Sequence, residues 1–206
     1  MTTPTLTKPS RQNSMPNGAD KTVTVLGIDP GLDRTGWAIV TRNARSVLSL
    51  RACGLIHTDA GQELPKRLDY IFRQLQQILK TYAPDQVAME QNFFLKRATT
   101  MANTVMTRGV IILACEQAGK EITFYPPRRV KMMICGTGTA DKKQVQRMVQ
   151  LTLNLDKAPS PDDTADAVAI GICHLKTAPL ASQINLKAAF LEKLKAAREQ
   201  QIKKKR

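Results

Sequence analysis

V-T-V-L-G-I-D-P-G, residues 23–31, is the stretch that organises the chain. Val23, Val25, Leu26 and Ile28 make a short apolar run that suits a buried strand. The run stops at Asp29, and Pro30-Gly31 turns the chain. A carboxylate ending a buried strand is costly unless something pairs with it. Taken alone, Asp29 is equally well read as a turn opener, because Asp before Pro-Gly often does only that.

Its candidate partners lie far along the chain. S-P-D-D-T-A-D, residues 160–166, opens an apolar run from Ala167 to Ile172. Ser160 fits a helix N-cap, Pro161 the first helical position, and Asp163 follows three residues after the cap. Asp162 and Asp163 are accounted for as acids that complement a helix dipole. Asp166 is not. It falls three residues after Asp163, on the same helix face, and two carboxylates on one face repel unless a cation lies between them.

Composition narrows the class of partner. A formal charge of +14 and a pI near 9.9 point to a polyanion, nucleic acid before membrane. Residues 176–206 hold nine bases against two acids, half of that net charge. Cys53, Cys115, Cys135 and Cys173 are widely spaced with no C-x-x-C pair, so they read as reduced core thiols of an intracellular protein, not a zinc site or disulfide frame. His57 and His174 form no ligand-spaced cluster. No apolar run approaches the roughly 20 residues that span a bilayer.

Taken in order, residues 1–21 read as a disordered arm rich in Thr, Pro, Ser and Asn, without the apolar core of a signal peptide. Residues 36–40 and 47–56 read as strands that continue a meander. Leu64, Leu68, Ile71, Leu75, Ile78, Leu79 and Tyr82 recur at helical spacing. Residues 86–90 follow as a strand. A helix then a strand makes a crossover, so this strand is expected parallel to the first, with Glu90 at its end. Ligands of open sheets gather at the carboxyl ends of strands, where Asp29 and Glu90 meet if their strands are neighbours.

Residues 91–100 read as a loop. Its Phe93, Lys96 and Arg97 suit a nucleic-acid contact, rings stacking on bases and cations neutralising phosphate; core packing is the alternative for the rings of Phe93 and Phe94. A helix over 101–118 and a strand over 122–125 come next. Arg128, Arg129 and Lys131 make a basic patch. The loop G-T-G-T, 136–139, leads into a helix from Asp141 to about Leu153, and it lacks Walker spacing. Lys142 and Lys143 oppose the dipole at that helix start, which fits a phosphate partner; the alternative is a solvated surface. The whole reads as a mixed α/β sheet of five strands flanked by helices on both faces, over residues 22–176, with a basic, partly helical tail at 177–206.

Asp29, Glu90, Asp163 and Asp166 come from three elements able to converge. Oxygen donors without His or Cys select Mg²⁺ or Mn²⁺ over zinc. Two such ions hold the attacking and leaving oxygens of a phosphoryl displacement. The constellation therefore predicts phosphodiester hydrolysis in a basic groove.

From Val23 to Leu175 the chain resembles the RuvC family of Holliday-junction resolvases, within the RNase H-like nucleases. The matching pieces are L-G-I-D-P-G at 26–31 with Thr35-Gly36, A-M-E-Q at 88–91, Arg108-Gly109, G-T-G-T-A-D-K-K-Q-V-Q at 136–146 and D-T-A-D-A-V-A-I at 163–170. The resemblance implies an RNase H-like fold and a crossover junction endonuclease using two Mg²⁺ per site, with Mn²⁺ as a substitute. It implies that Asp29, Glu90, Asp163 and Asp166 are the catalytic metal ligands and that Asp162 is a neighbour. It sets Phe93 at the junction crossover and Lys142 near the scissile phosphate, with Lys143 beside it. It further implies a homodimer nicking opposing strands symmetrically, the partners RuvA and RuvB, and a cytoplasmic, nucleoid-associated location. The long N-terminal arm, the extended basic tail and the bulky Phe94-Leu95 depart from the family pattern.

Two other readings remain open on sequence. One is an RNase H-like nuclease acting on RNA or another branched DNA. The other is a noncatalytic junction binder, which gains nothing from burying four acids beside DNA. An actin-like or sugar-kinase ATPase also opens with G-I-D before a glycine turn, but the chain is too short for two such domains.

Overall fold

The computed structural model describes residues 22–91 and 98–177, apart from the side chains of 98–101. Five strands, β1 (Val23–Asp29), β2 (Arg34–Arg42), β3 (Leu48–His57), β4 (Gln86–Glu90) and β5 (Ile122–Tyr125), form one sheet in the order β3-β2-β1-β4-β5. The first three run antiparallel as a meander. Helix α1 (Leu64–Tyr82) returns the chain so that β4 lies parallel to β1. Helix α2 (Ala98–Gln117) does the same for β5 beside β4. The expected mixed sheet and crossover are both present. Helices α3 (Pro127–Cys135), α4 (Lys142–Thr152) and α5 (residues 162–177) complete the described chain.

Strand alternation sorts the core into two halves. Leu26, Ile28, Ile39, Val87 and Met89 point to one face and pack on the Ile71, Leu75 and Ile78 stripe of α1 and on Ile111 and Cys115 of α2. Val25, Ala38, Val40 and Ala88 point to the other, where Ala167, Val168, Ile170, Ile172 and Leu175 of α5 cover them together with α3 and α4. Asp29 falls in step with Val25 on β1, and Glu90 with Ala88 on β4. Both acids therefore share the face that α5 covers.

Helix α5 sits unusually close to the sheet. A Cβ on Gly27 would stand 2.2 Å from the Ala167 carbonyl oxygen, and one on Gly36 2.0 Å from that of Asp163. A Cβ on Gly171 would meet Val40 at 2.8 Å. Three missing side chains thus let helix and strand backbones touch. Two arginines of β2 hold the helix ends: Arg34 pairs with Asp163, and Arg42 donates to the Leu175 carbonyl in the last turn.

Several boundaries differ from the sequence reading. Pro161 caps α5, its carbonyl accepting from Thr164 and Ala165, so Ser160 is not the N-cap and Pro161 is not the first helical residue. Helix α2 begins at Ala98, so residues 98–100 are not loop. Helix α3 was not expected; Pro127 starts it and Val130 and Ile134, four apart, bury its inner face. Cys115 and Cys173 are buried, whereas Cys53 and Cys135 are only half-buried. Among the described residues, no helix is long and apolar enough to cross a membrane.

Replacing Gly36 with Ala is expected to lower unfolding free energy by about 1–3 kcal/mol, as overpacking against backbone does. Gly61→Ala, whose new methyl would meet only ordinary contacts, should stay near wild type. Urea melts of the two variants check this.

Candidate active site

Asp29 and Glu90 are each one residue beyond the Ile28–Met89 pair, so the two carboxylates leave adjacent parallel strands at the same height. Gly36, opposite Asp29 on β2, seats the first turn of α5, which brings Asp163 and Asp166 to that spot. Thr164, between them, is buried and donates to the Gly54 carbonyl at 3.4 Å, turning the helix so that the two acids stay outside the core. All four acids are half-buried.

The turn after Asp29 is braced from the opposite face. Buried Arg67 of α1 pairs with Asp33 and donates from Nε to Thr58 Oγ1 at 2.9 Å. Thr58 donates to the Leu32 carbonyl at 2.7 Å, and Thr35 to that of Gly31 at 2.6 Å. The route from Asp29 to Arg34 is therefore pinned at Gly31, Leu32 and Asp33.

The electrostatics show how tightly the acids are gathered. Burial, then the charges of Glu90, Asp166 and Asp163, hold the Asp29 carboxyl well above its usual range. Burial and Asp166 push Glu90 up to about 6, against the pull of Arg108, Lys131 and Lys142. Asp166 is raised by burial and by Asp163 and Asp162, opposed first by Lys142. Burial leads each of these shifts and neighbouring carboxylates add to it, the pattern of clustered, poorly solvated acids. The donors are all oxygens, which fits a hard divalent cation. Even so, among the described residues no three Asp, Glu, His or Cys side chains are already arranged around an ion position. Asp163 is turned to Arg34, Nε to Oδ2 2.6 Å.

The sequence reading singled out Lys142 and Lys143. Lys142, first residue of α4, bears on Asp29, Glu90 and Asp166; Lys143 is exposed beside it. Asp141 caps α4 and forms a capping box with Gln144, which fixes where Lys142 starts. Asp162 takes a hydrogen bond from Gln146 Nε2 at 2.6 Å and lies 3.7 Å from Lys142 Nζ. Phe93, Lys96 and Arg97 lie outside the described residues. Three residues given no role from sequence belong here. Arg34 holds Asp163; Arg108 donates to the Glu90 carbonyl and lies over the Phe124 ring at 5.5 Å; Lys131, of the basic patch on α3, acts on Glu90 and Asp166. Arg108 stood within a quoted motif and Lys131 within that patch. Arg34 carried no signal, because its partner is over a hundred residues away.

The strand order, the mixed register and acids at the carboxyl ends of β1 and β4 under a covering helix define an RNase H-like α/β protein. The yeast mitochondrial Holliday junction resolvase Ydc2 shares that fold, at 14% identity and TM-score 0.60 over 82% of this chain and 86% of its own. The family "Crossover junction endodeoxyribonuclease RuvC" matches residues 25–174, and the chain belongs to it. The RuvC of Chloroflexus aggregans is 46% identical over 75% of this chain and 93% of its own; that of Syntrophomonas wolfei is 44% identical over 77% and 91%. Thermus thermophilus RuvC in complex with Holliday junction substrate superimposes at TM-score 0.71, with 26% identity over 77% of this chain and 96% of that one.

The Glu90 shift sets a pH test. In the metal-free protein the native state holds this proton to about pH 6, whereas the unfolded chain loses it near the ordinary 4.5. The native state then binds more protons, so the Glu90 contribution to stability falls as pH rises from 4.5 through 6. In EDTA, Glu90→Gln should therefore melt above wild type at pH 7 and level with it at pH 4.5. A pH-independent difference would contradict the coupling.

Proposed function

We propose that the chain resolves four-way DNA junctions by divalent-metal-dependent phosphodiester hydrolysis, nicking two opposing strands symmetrically. The observation that carries the reading is the convergence of Asp29, Glu90, Asp163 and Asp166 on one sheet face, flanked by Lys131, Lys142 and Arg108, in a chain of the RuvC family. A homologue solved with Holliday junction substrate supports the choice of DNA.

In this reading the four acids hold two Mg²⁺ ions, with Mn²⁺ as a substitute. When bound, the ions supply an activated water and stabilise the leaving oxygen of the phosphodiester. The protein's own groups do the rest. Arg108 fixes the Glu90 backbone and so the aim of its carboxylate. Lys142 and Lys131 offer the scissile phosphate two cations beside the acids, an electrostatic cover for charge that builds during displacement. Phe93 serves the crossover, and Lys96, Arg97 and Lys143 serve the DNA backbone. The basic residues beyond α5 add a salt-sensitive hold on DNA without sequence preference.

A homodimer completes the reading, since two sites are needed for paired nicks. Helix α2 supports it. Val105, Met106, Ile112 and Leu113 are each more than 40% exposed, at successive turns of one helix, and Gly109 between them opens space for a facing backbone. RuvA and RuvB are the partners that family membership supports, and a junction substrate supports a cytoplasmic, nucleoid-associated location.

The test is cleavage of a synthetic four-way junction, a linear duplex and an RNA–DNA hybrid, in Mg²⁺ and in EDTA. Wild type should nick only the junction, in Mg²⁺, at symmetric positions. Asp163→Asn should cut roughly a hundredfold or more slowly while still binding, since losing a metal ligand costs at least as much as losing a supporting shell. Cutting of the hybrid would move the substrate to RNA; binding without cutting would make the protein a junction binder. Leu113→Glu is expected to shift the protein from dimer to monomer in light scattering.

A further inference from the structure

Among the described residues, Asp163 alone of the four acids has an ion-pair partner, Arg34, with Nε 2.6 Å from Oδ2. The contact is built into the fold. Arg34 and Gly36 lie two apart on β2 and so share the sheet face on which α5 rests. The missing Gly36 side chain lets the Asp163 backbone settle against that strand, which delivers the carboxylate to Arg34. The preceding residue, Asp33, is tied to Arg67 on the opposite side, so the strand start that carries Arg34 is held in place. A guanidinium does not lose its proton, so this positive charge is permanent. It also occupies an oxygen that an arriving cation would take.

We propose that Arg34 is a resident counter-cation for Asp163, which a divalent ion must displace in order to fill the site. This inference rests on the reading of the four acids as metal ligands. With no ion bound, Arg34 balances the Asp163 charge and keeps that carboxylate aside. When an ion enters, Asp163 exchanges the guanidinium for the metal. Arg34 is thus a positioning residue that sets the ion concentration at which the site fills. Its side chain is 45% exposed and that of Asp163 26%, so solvent screens the pair and its displacement is a modest cost.

The experiment is Mn²⁺ binding to the full chain without DNA, followed by electron paramagnetic resonance of the free ion, with melting in EDTA alongside. Wild type is compared with Arg34→Gln, Arg34→Lys, Asp163→Asn and the Arg34→Gln/Asp163→Asn double variant. Arg34→Gln should bind Mn²⁺ roughly three- to fivefold more tightly, the worth of one screened pair. It should melt below wild type in EDTA and match or exceed it in saturating Mn²⁺. Arg34→Lys should stay close to wild type. Asp163→Asn should bind more weakly, and Arg34→Gln should add nothing in that background. If Asp163→Asn weakens binding but Arg34→Gln leaves it unchanged or weaker, the counter-cation role is wrong and the metal site stands. Lower melting of Arg34→Gln in both EDTA and Mn²⁺ would likewise make the pair purely structural. If Asp163→Asn leaves Mn²⁺ binding unaltered, the acid-site reading itself fails.

Discussion

The contact on which the rest depends is the backbone approach of α5 to β1 and β2. Side chains normally hold a helix about 10 Å above a sheet. Here Gly27, Gly36 and Gly171 remove that padding at three places along the crossing. The closeness positions Asp163 and Asp166 against strand ends that carry Asp29 and Glu90. An added methyl at Gly36 would lift the start of the helix, where both acids sit. The same approach buries Ala167, Ile170 and Leu175 in the half of the core that α3 and α4 also share. Packing and site geometry are one constraint here.

The charge arrangement follows from that constraint. The chain is strongly basic overall, yet its sheet end gathers four acids, and burial together with neighbouring carboxylates raises the proton affinity of Asp29, Glu90 and Asp166. A fold does not gain stability from such a cluster. The cations nearest to it come from separate elements: Arg34 from β2, Arg108 from α2, Lys131 from α3 and Lys142 from α4. Each offsets part of the acids' charge, so the acids are approached by cations from four elements.

Much of this was legible in the sequence. Asp29 and Glu90 each end an apolar run, and alternation with Val25 and Ala88 puts both on one face. The helix stripe from Leu64 to Tyr82 and the crossover rule gave the parallel β4. What stayed hidden was hidden for physical reasons. Helix α3 is short, and its two arginines and one lysine mask the Val130–Ile134 pair. The cap of α5 depended on whether Ser160 or Pro161 presented the first carbonyl, a one-residue choice that composition does not make. Arg34 looked like any strand-end arginine, since its meaning comes from a residue far along the chain. Gly27 and Gly36 were quoted within motifs, but only the docked helix explains why no larger residue fits.

Helix α5 is also the last described element to be synthesised. Until it emerges, the Val25–Ala38–Val40–Ala88 face of the sheet has lost its main cover, and two of the four acids do not yet exist in space. A partial chain on the ribosome can pair β1 with β2 and β2 with β3, because those contacts are local. It cannot assemble the cluster of acids. The order of elements therefore makes one event of two: the step that closes this half of the core is the step that brings Asp163 and Asp166 to Asp29 and Glu90.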